Sequence, residues 1–351
     1  MHRRLVRFLA GLLPLALGAA AYAVSCTTES MMTAEERGTL EQTALALANN
    51  VKTGNLTTLK AQTLSTVAAK FSGIADSVQA VQPFLQHATL TADALYLLNA
   101  GDLTSTEEAQ FICGVPGSAL IVTLTIPSLP PGQYALAILH ATGVEHPQQL
   151  SMMLSRVPGS SGWKLAGFFT RPMTLGGHDG VWFWRQARVY AAKKQDWNAW
   201  FYYQTAQYLL NPVDFLSSPN LERLLREAED VQPGGLPGEQ PMHLNGDGQS
   251  FDITNLHTGE LAGQLDLVVD FRGTPQSDPV AARAEVTAVM RALLQQHPEL
   301  ASAFHGLWVY ASSPGGQPPF ALELPMSQIR NSASPAGLPS TGTNNSRKQA
   351  G

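Results

Sequence analysis

The stretch Ala119-Leu120-Ile121-Val122-Thr123-Leu124-Thr125-Ile126 puts Leu120, Val122, Leu124 and Ile126 on one side of an extended chain, with Ala119, Thr123 and Thr125 on the other. A period of two marks a strand with one buried face. Downstream, residues 133–142, 148–156 and 163–171, and upstream residues 89–98, are likewise rich in β-branched, aromatic and other apolar side chains. Leu129-Pro130-Pro131-Gly132 and Pro158-Gly159-Ser160-Ser161-Gly162 punctuate them as turns. Further upstream the period changes to that of a helix. Thr33 and Glu36 have the spacing of a capping box, Leu40, Ala44, Leu45, Leu47 and Ala48 form a stripe, and Gly54 follows as a stop. Two more helices are expected at 56–64 and at 73–84, where Pro83 marks the end. Helices followed by an antiparallel meander predict an α+β fold.

The meander closes on Gly162-Trp163-Lys164-Leu165-Ala166-Gly167-Phe168. With that W-K-L-x-G-F strand and this order of elements, residues 31–172 resemble the NTF2-like (cystatin-like) superfamily. The resemblance implies a cone between sheet and helices that cradles a small ligand or a catalytic Asp/His pair. Asp93 and His140 lie on expected strands, with their facing left open, and two solvent-facing polar residues is the simpler reading.

Residues 173–230 read as helical. The spacing Tyr190, Ala199, Tyr203, Ala206, with Asn211-Pro212 closing, resembles one tetratricopeptide (TPR-like) hairpin over 180–212. No second copy follows at a period of about 34, and a lone repeat cannot bury its own faces. Trp197, Trp200, Phe201 and Tyr208 form a separate aromatic stripe on the second helix. Either it packs internally, against a helix around Leu221–Ala228 and the N-terminal domain, or it is a candidate surface for a partner protein or extended peptide. In that next helix Ser218 is placed as N-cap and Pro219 in the first turn.

The first residues indicate destination. His2-Arg3-Arg4 and Arg7 precede an apolar run from Phe8 to Ala23 that ends in small residues, the layout of a signal peptide over 1–23 with Ala21-Tyr22-Ala23 as cleavage site. An exported chain with two cysteines, Cys26 and Cys113, is expected to pair them in a disulfide. Alternatively, Ala23-Val24-Ser25-Cys26 serves as a lipobox and Cys26 anchors the chain to a membrane, although the usual leucine three positions earlier is missing. Cysteine parity favours the disulfide.

Residues 231–248 contain Pro-Gly-Gly-Leu-Pro-Gly and read as a linker, 249–328 as a small α+β domain, and 329–351 as a disordered tail. Asp278 and Pro279 open a helix in that domain, and Pro298 follows its end. Chemical motifs are sparse. Leu338-Pro339-Ser340-Thr341-Gly342 matches the sortase signature but lacks the hydrophobic stretch and basic end that sortase substrates carry. Asn245-Gly246-Asp247-Gly248 has His243 and Thr254 where a calcium loop needs oxygens, so a β-turn is expected. His178-Asp179-Gly180 reads as a loop in which Asp179 caps a helix. No zinc spacing, nucleophile elbow or phosphate loop is present.

Composition bounds the rest. Of 351 residues 44% are apolar and 14% charged, against about 25% charged in ordinary domains, which excludes a disordered chain or a coiled coil. Without Arg3, Arg4 and Arg7 the mature chain has 19 basic against 27 acidic residues, and nucleic acid is excluded as a partner. The expectation is an exported periplasmic or extracellular protein without cofactor, acting as a non-enzymatic binding or assembly module towards another envelope protein or peptide. The alternative is a small-molecule-binding or hydrolytic enzyme with its site in the NTF2-like cone.

Overall fold

The structure, a computed structural model, describes residues 24–114, 121–157, 159, 162–246, 248–274, 278–312 and 319–331. The expected signal peptide, the tail with its sortase-like motif, and Asp247 lie outside the described residues. The fold is mixed α+β.

The N-terminal half has three layers. Helices α1 (Ala34–Lys52), α2 (Leu56–Ala61), α3 (Ser65–Ala68) and α4 (Ser72–Leu85) cover one face of an antiparallel sheet. Its order is β1 (Ser25–Thr28), β2 (Thr89–Asn99), β5 (Gln133–Thr142), β6 (Gln148–Arg156) and β7 (Trp163–Pro172). The capping box at Thr33 and Glu36 forms as expected, the Thr33 hydroxyl accepting from Glu36 N–H at 3.2 Å and Glu36 Oε2 from Thr33 N–H at 3.0 Å. Helix α2 stops short of Leu64 because its exit joins the sheet: Leu64 N–H donates to Leu165 O, and Leu165 N–H to Gln62 O. Helix α4 runs through Pro83 to Leu85, the exposed proline ring facing solvent.

The opening strand departs from expectation. As β4 (Ile121–Leu129) it leaves the meander and forms a second sheet with β3 (Glu107–Gly114) and β10 (Leu216–Ser217). Its buried face is nonetheless the expected one, since Val122, Leu124 and Ile126 pack towards the main sheet. Alternation identifies a buried face but not the strand beside it. Strand β3 alternates too, with Ala109, Phe111 and Cys113 buried between exposed Glu108, Gln110 and Ile112, a signal masked by its acidic start.

Covered on both faces, β5 is buried continuously from Tyr134 to Leu139. Ala135, Ala137 and Leu139 meet the helices, whereas Leu136 and Ile138 meet the second sheet. Cys26 on β1 is bonded to Cys113 on β3, joining the edge strands of the two sheets across 87 residues of sequence. Cys26 is thus paired, and among the described residues no cysteine is free.

The C-terminal half begins with a two-stranded ribbon, β8 (Thr174–Leu175) and β9 (His178–Asp179). Helices α5 (Gly180–Ala192), α6 (Asp196–Leu210) and α7 (Pro219–Glu229) follow. Asp179 accepts from Trp182 N–H at 2.8 Å and Ser218 from Leu221 N–H at 3.3 Å, so both act as N-caps. A second five-stranded sheet has the order β11 (Met242–Gly246), β12 (Gln249–Leu261), β13 (Gln264–Arg272), β14 (Gly306–Ser312) and β15 (Phe320–Pro325). Helix α8 (Pro279–Gln296), capped by Asp278, is the crossover between parallel β13 and β14, and α9 (Met326–Asn331) ends the described chain. Strand β11 lies within the expected linker, and Gly246–Gln249 closes its hairpin with β12. Helices α5–α7 and this sheet share one core.

Candidate functional site

Helix α6 decides what happens to the aromatic stripe. Its residues Trp200, Gln204 and Tyr208 recur every four positions along one face, and Phe201 and Thr205 lie beside them. Two of the four candidate partner residues are not available to a partner. Trp197 is 9% exposed, with its ring 3.8 Å from that of His297, and Phe201 is 2% exposed against Phe304. Cover for Trp197 and Phe201 comes from His297, the helical turn Pro298–Ser302 and Phe304 of the last unit, while Arg171 of β7 lies over Tyr208. Asn198 Nδ2 donates to Glu299 O at 2.9 Å, and the Tyr202 hydroxyl to Ala303 O at 2.6 Å, fastening that cover.

Helix α7 caps the opposite stripe through one carboxylate. Glu227 accepts from Trp184 Nε1 at 2.8 Å, from Arg188 at 2.7 and 2.8 Å, and from Arg223 at 2.9 Å. Partial burial pushes the Glu227 carboxyl up, but these charge-assisted bonds outweigh it and hold it down at about 2. Gly180 is required where α5 begins: a Cβ there would lie 2.5 Å from Leu210 Cγ. The first residue of α5 thus meets the last of α6, and the two helices are antiparallel.

Trp200 and Tyr208 instead line a cavity of about 700 Å³ between α6 and β12. Leu256 and Thr258 form the β12 side, while Leu236 and Pro237 close it from the segment before β11. Its polar groups are few. The Thr205 hydroxyl donates to Phe201 O at 2.8 Å, so in the 2.7 Å pair with Thr258 it accepts. Gln204, Gln232 and His257 are the longer polar side chains in the lining. Tyr208 is 45% exposed, and the Arg171 guanidinium sits 4.9 Å from its ring centre, itself held by Asp214 at 2.8 Å. An apolar concavity with a few convergent polar groups, in the volume range of small-molecule sites, is the form a ligand pocket takes.

Asp93 and His140 do come together, Nδ1 of the imidazole lying 3.6 Å from the carboxylate. Asp93 stands at the bulge in β2, and His140 Nε2 is 3.2 Å from Gln149 Nε2. His140 shares the face of β5 that carries Leu136 and Ile138, so the pair lies on the side of the sheet away from the helices. The interval between helices and sheet, where a cone would lie, is occupied by Ala44, Leu47, Val78, Ala137 and Leu139. The His178 ring stacks on Trp182, 3.7 Å apart and nearly parallel.

Sequence spacing revealed no metal ligands, yet among the described residues Asp266, His305 and Glu323 converge. They come from β13, the residue before β14, and β15, which are adjacent in the sheet but distant along the chain. No signal of local spacing could have found them. Among known proteins, no family model, curated protein or solved structure matches this chain.

Proposed function

We propose that this chain is an exported, non-enzymatic binding module of the cell envelope, whose site is the cavity between α6 and β12. The ligand that suits it is a small amphipathic molecule, with an aromatic or branched apolar body against Trp200 and Tyr208 and a polar end towards Gln204 or Gln232. The observation that carries this reading is that concavity, since half of the aromatic stripe is spent in the core and the other half lines a hollow. A hollow suits a small group better than the flat face of a protein partner.

Export through the leader 1–23, to periplasm or extracellular space, is supported by the Cys26–Cys113 crosslink, which persists in oxidising compartments. No described helix is long and apolar enough to cross a membrane. Helices packed on one face of an antiparallel sheet support an NTF2-like reading of the first unit, and the buried Ala187, Ala199, Tyr203 and Ala206 support a TPR-like reading of α5–α6. An enzyme working in the cone is the weaker reading, because apolar side chains occupy that interval.

Titration with the amphipathic fluorophore 8-anilinonaphthalene-1-sulfonate tests the pocket. Saturable 1:1 binding that quenches tryptophan emission, and weakens at least tenfold in Trp200→Leu and Tyr208→Ala, supports it. The reading fails if the folded native chain does not bind, or if folded variants bind as the native chain does.

A further inference from the structure

We propose that Asp266, His305 and Glu323 form a binding site for one divalent transition-metal cation. The site is independent of the α6 cavity. Asp266 and Glu323 share the face of the sheet away from the core, where residues Leu267, Val269, Leu322 and Leu324 point the other way.

Three features carry the assignment. The first is geometry. One ligand atom from each residue lies within 4.8 Å of the others, with His305 Nδ1 at 3.3 Å from Asp266 Oδ1 and 3.9 Å from Glu323 Oε1. A metal about 2.1 Å from each atom holds its ligands about 4 Å or less apart, so less than about 1 Å of side-chain movement closes the set. The imidazole is already positioned by its own backbone, because His305 N–H donates to Leu265 O and His305 O accepts from Met326 N–H, both at 2.8 Å.

The second is unsatisfied charge. Asp266 is 1% exposed, yet its Oδ2 has no hydrogen-bond partner, and neither has Glu323 Oε1. Asp266 Oδ1 already meets His305 Nδ1, but buried carboxylate oxygens without donors are costly, and a cation held between the Asp266 and Glu323 carboxylates offsets that cost.

The third is space. A Cβ on Gly306 would stand 2.6 Å from Glu323 Oε1, 2.8 Å from the backbone Leu324 O of β15 and 3.2 Å from Asp266 Oδ1. Its backbone needs no left-handed turn, so the glycine is there for room rather than for conformation. His305, 44% exposed, stands at the mouth and gives a cation access from solvent.

Two carboxylates and one imidazole suit Zn²⁺ or a neighbouring first-row ion, whereas Ca²⁺ takes about six to eight oxygens, more than these three side chains supply. Three protein ligands leave at least one coordination position to water, the pattern of an open site.

The test uses the mature chain without a histidine tag, stripped with EDTA and dialysed, then titrated calorimetrically with ZnCl2. One Zn²⁺ per chain is expected, with Co²⁺ giving visible absorption bands at one equivalent and Mg²⁺ no heat. His305→Ala, at an exposed position that leaves the fold intact, and Asp266→Asn are each expected to weaken binding at least tenfold. A Gly306→Ala variant that keeps the native circular dichroism should lose the Co²⁺ bands. Absence of Zn²⁺ binding by the folded native chain overturns the proposal, as does a folded His305→Ala variant that binds like the native chain.

Discussion

The two five-stranded sheets of this protein treat their faces differently. The N-terminal sheet is covered twice, by α1–α4 on one side and by the β3–β4–β10 sheet on the other, and β5 is buried from Tyr134 to Leu139, its one ionisable side chain, His140, lying beyond that run beside Asp93. The C-terminal sheet has one face in the large core with α6 and α8, and on the other carries Asp266, Glu323, Trp308 and Tyr310. A stretch of strand buried on two sides has no position where a charge can be solvated, so Tyr134 to Leu139 contributes packing rather than chemistry. A sheet with one thinly covered face can keep ionisable groups half-wrapped, where their chemistry is sharpened. In this molecule the candidate ligand cavity and the candidate metal site both touch the C-terminal sheet.

Breaking the contrast should show in stability, from the crosslink downward. Reducing Cys26–Cys113 should cost roughly 4 kcal/mol by the chain-entropy argument. In hydrogen exchange, protection should fall in β1 and β3 and hold in β13–β15; equal losses in both halves would erase the distinction. Leu139→Ala, at a site without solvent exposure, should cost about 3 kcal/mol in urea denaturation, well above Trp308→Ala on the outer face of the second sheet. Equal costs for the two would show that the outer face is as tightly packed as the inner layers.

The Glu227 cluster sharpens the comparison through pH. Its folded value of about 2 lies below the ordinary 4.5, so the stability it contributes is fully present above 4.5 and lost as pH falls towards 2. Glu227→Gln should therefore cost about 1–2 kcal/mol at neutral pH and flatten the loss seen between pH 4.5 and about 2. An unchanged acid profile would show that the arginines do not hold this carboxylate. Smallest is Asp179→Ala, which removes the α5 cap and should cost about 1 kcal/mol by thermal melting, without changing fluorophore or Zn²⁺ binding.

Much of the secondary structure was legible. Thr33 with Glu36, Asp179, Ser218 and Asp278 were readable as caps because a cap satisfies backbone groups within three residues of itself. Alternation at Val122, Leu124 and Ile126 identified a buried face correctly, and cysteine parity the pair Cys26 and Cys113. Strands β10 and β11 were not legible: one is two residues long, and the other follows a Pro-Gly-rich segment that reads as linker. Of the candidate site, Trp200 and Tyr208 were singled out, but their facing partners Leu256 and Thr258 lie about fifty residues further along the chain.

Periodicity, caps and cysteine count belong to the polypeptide alone, since they rest on interactions within a turn or two or on parity, and these determined an α+β chain with one crosslink. Which sheet β4 joined, what covered Trp197 and Phe201, and the meeting of Asp266, His305 and Glu323 were decided only when the chain closed on itself. The reason is that pairing between strands and the burial of charge depend on neighbours brought together by folding, and neither leaves a period in the sequence.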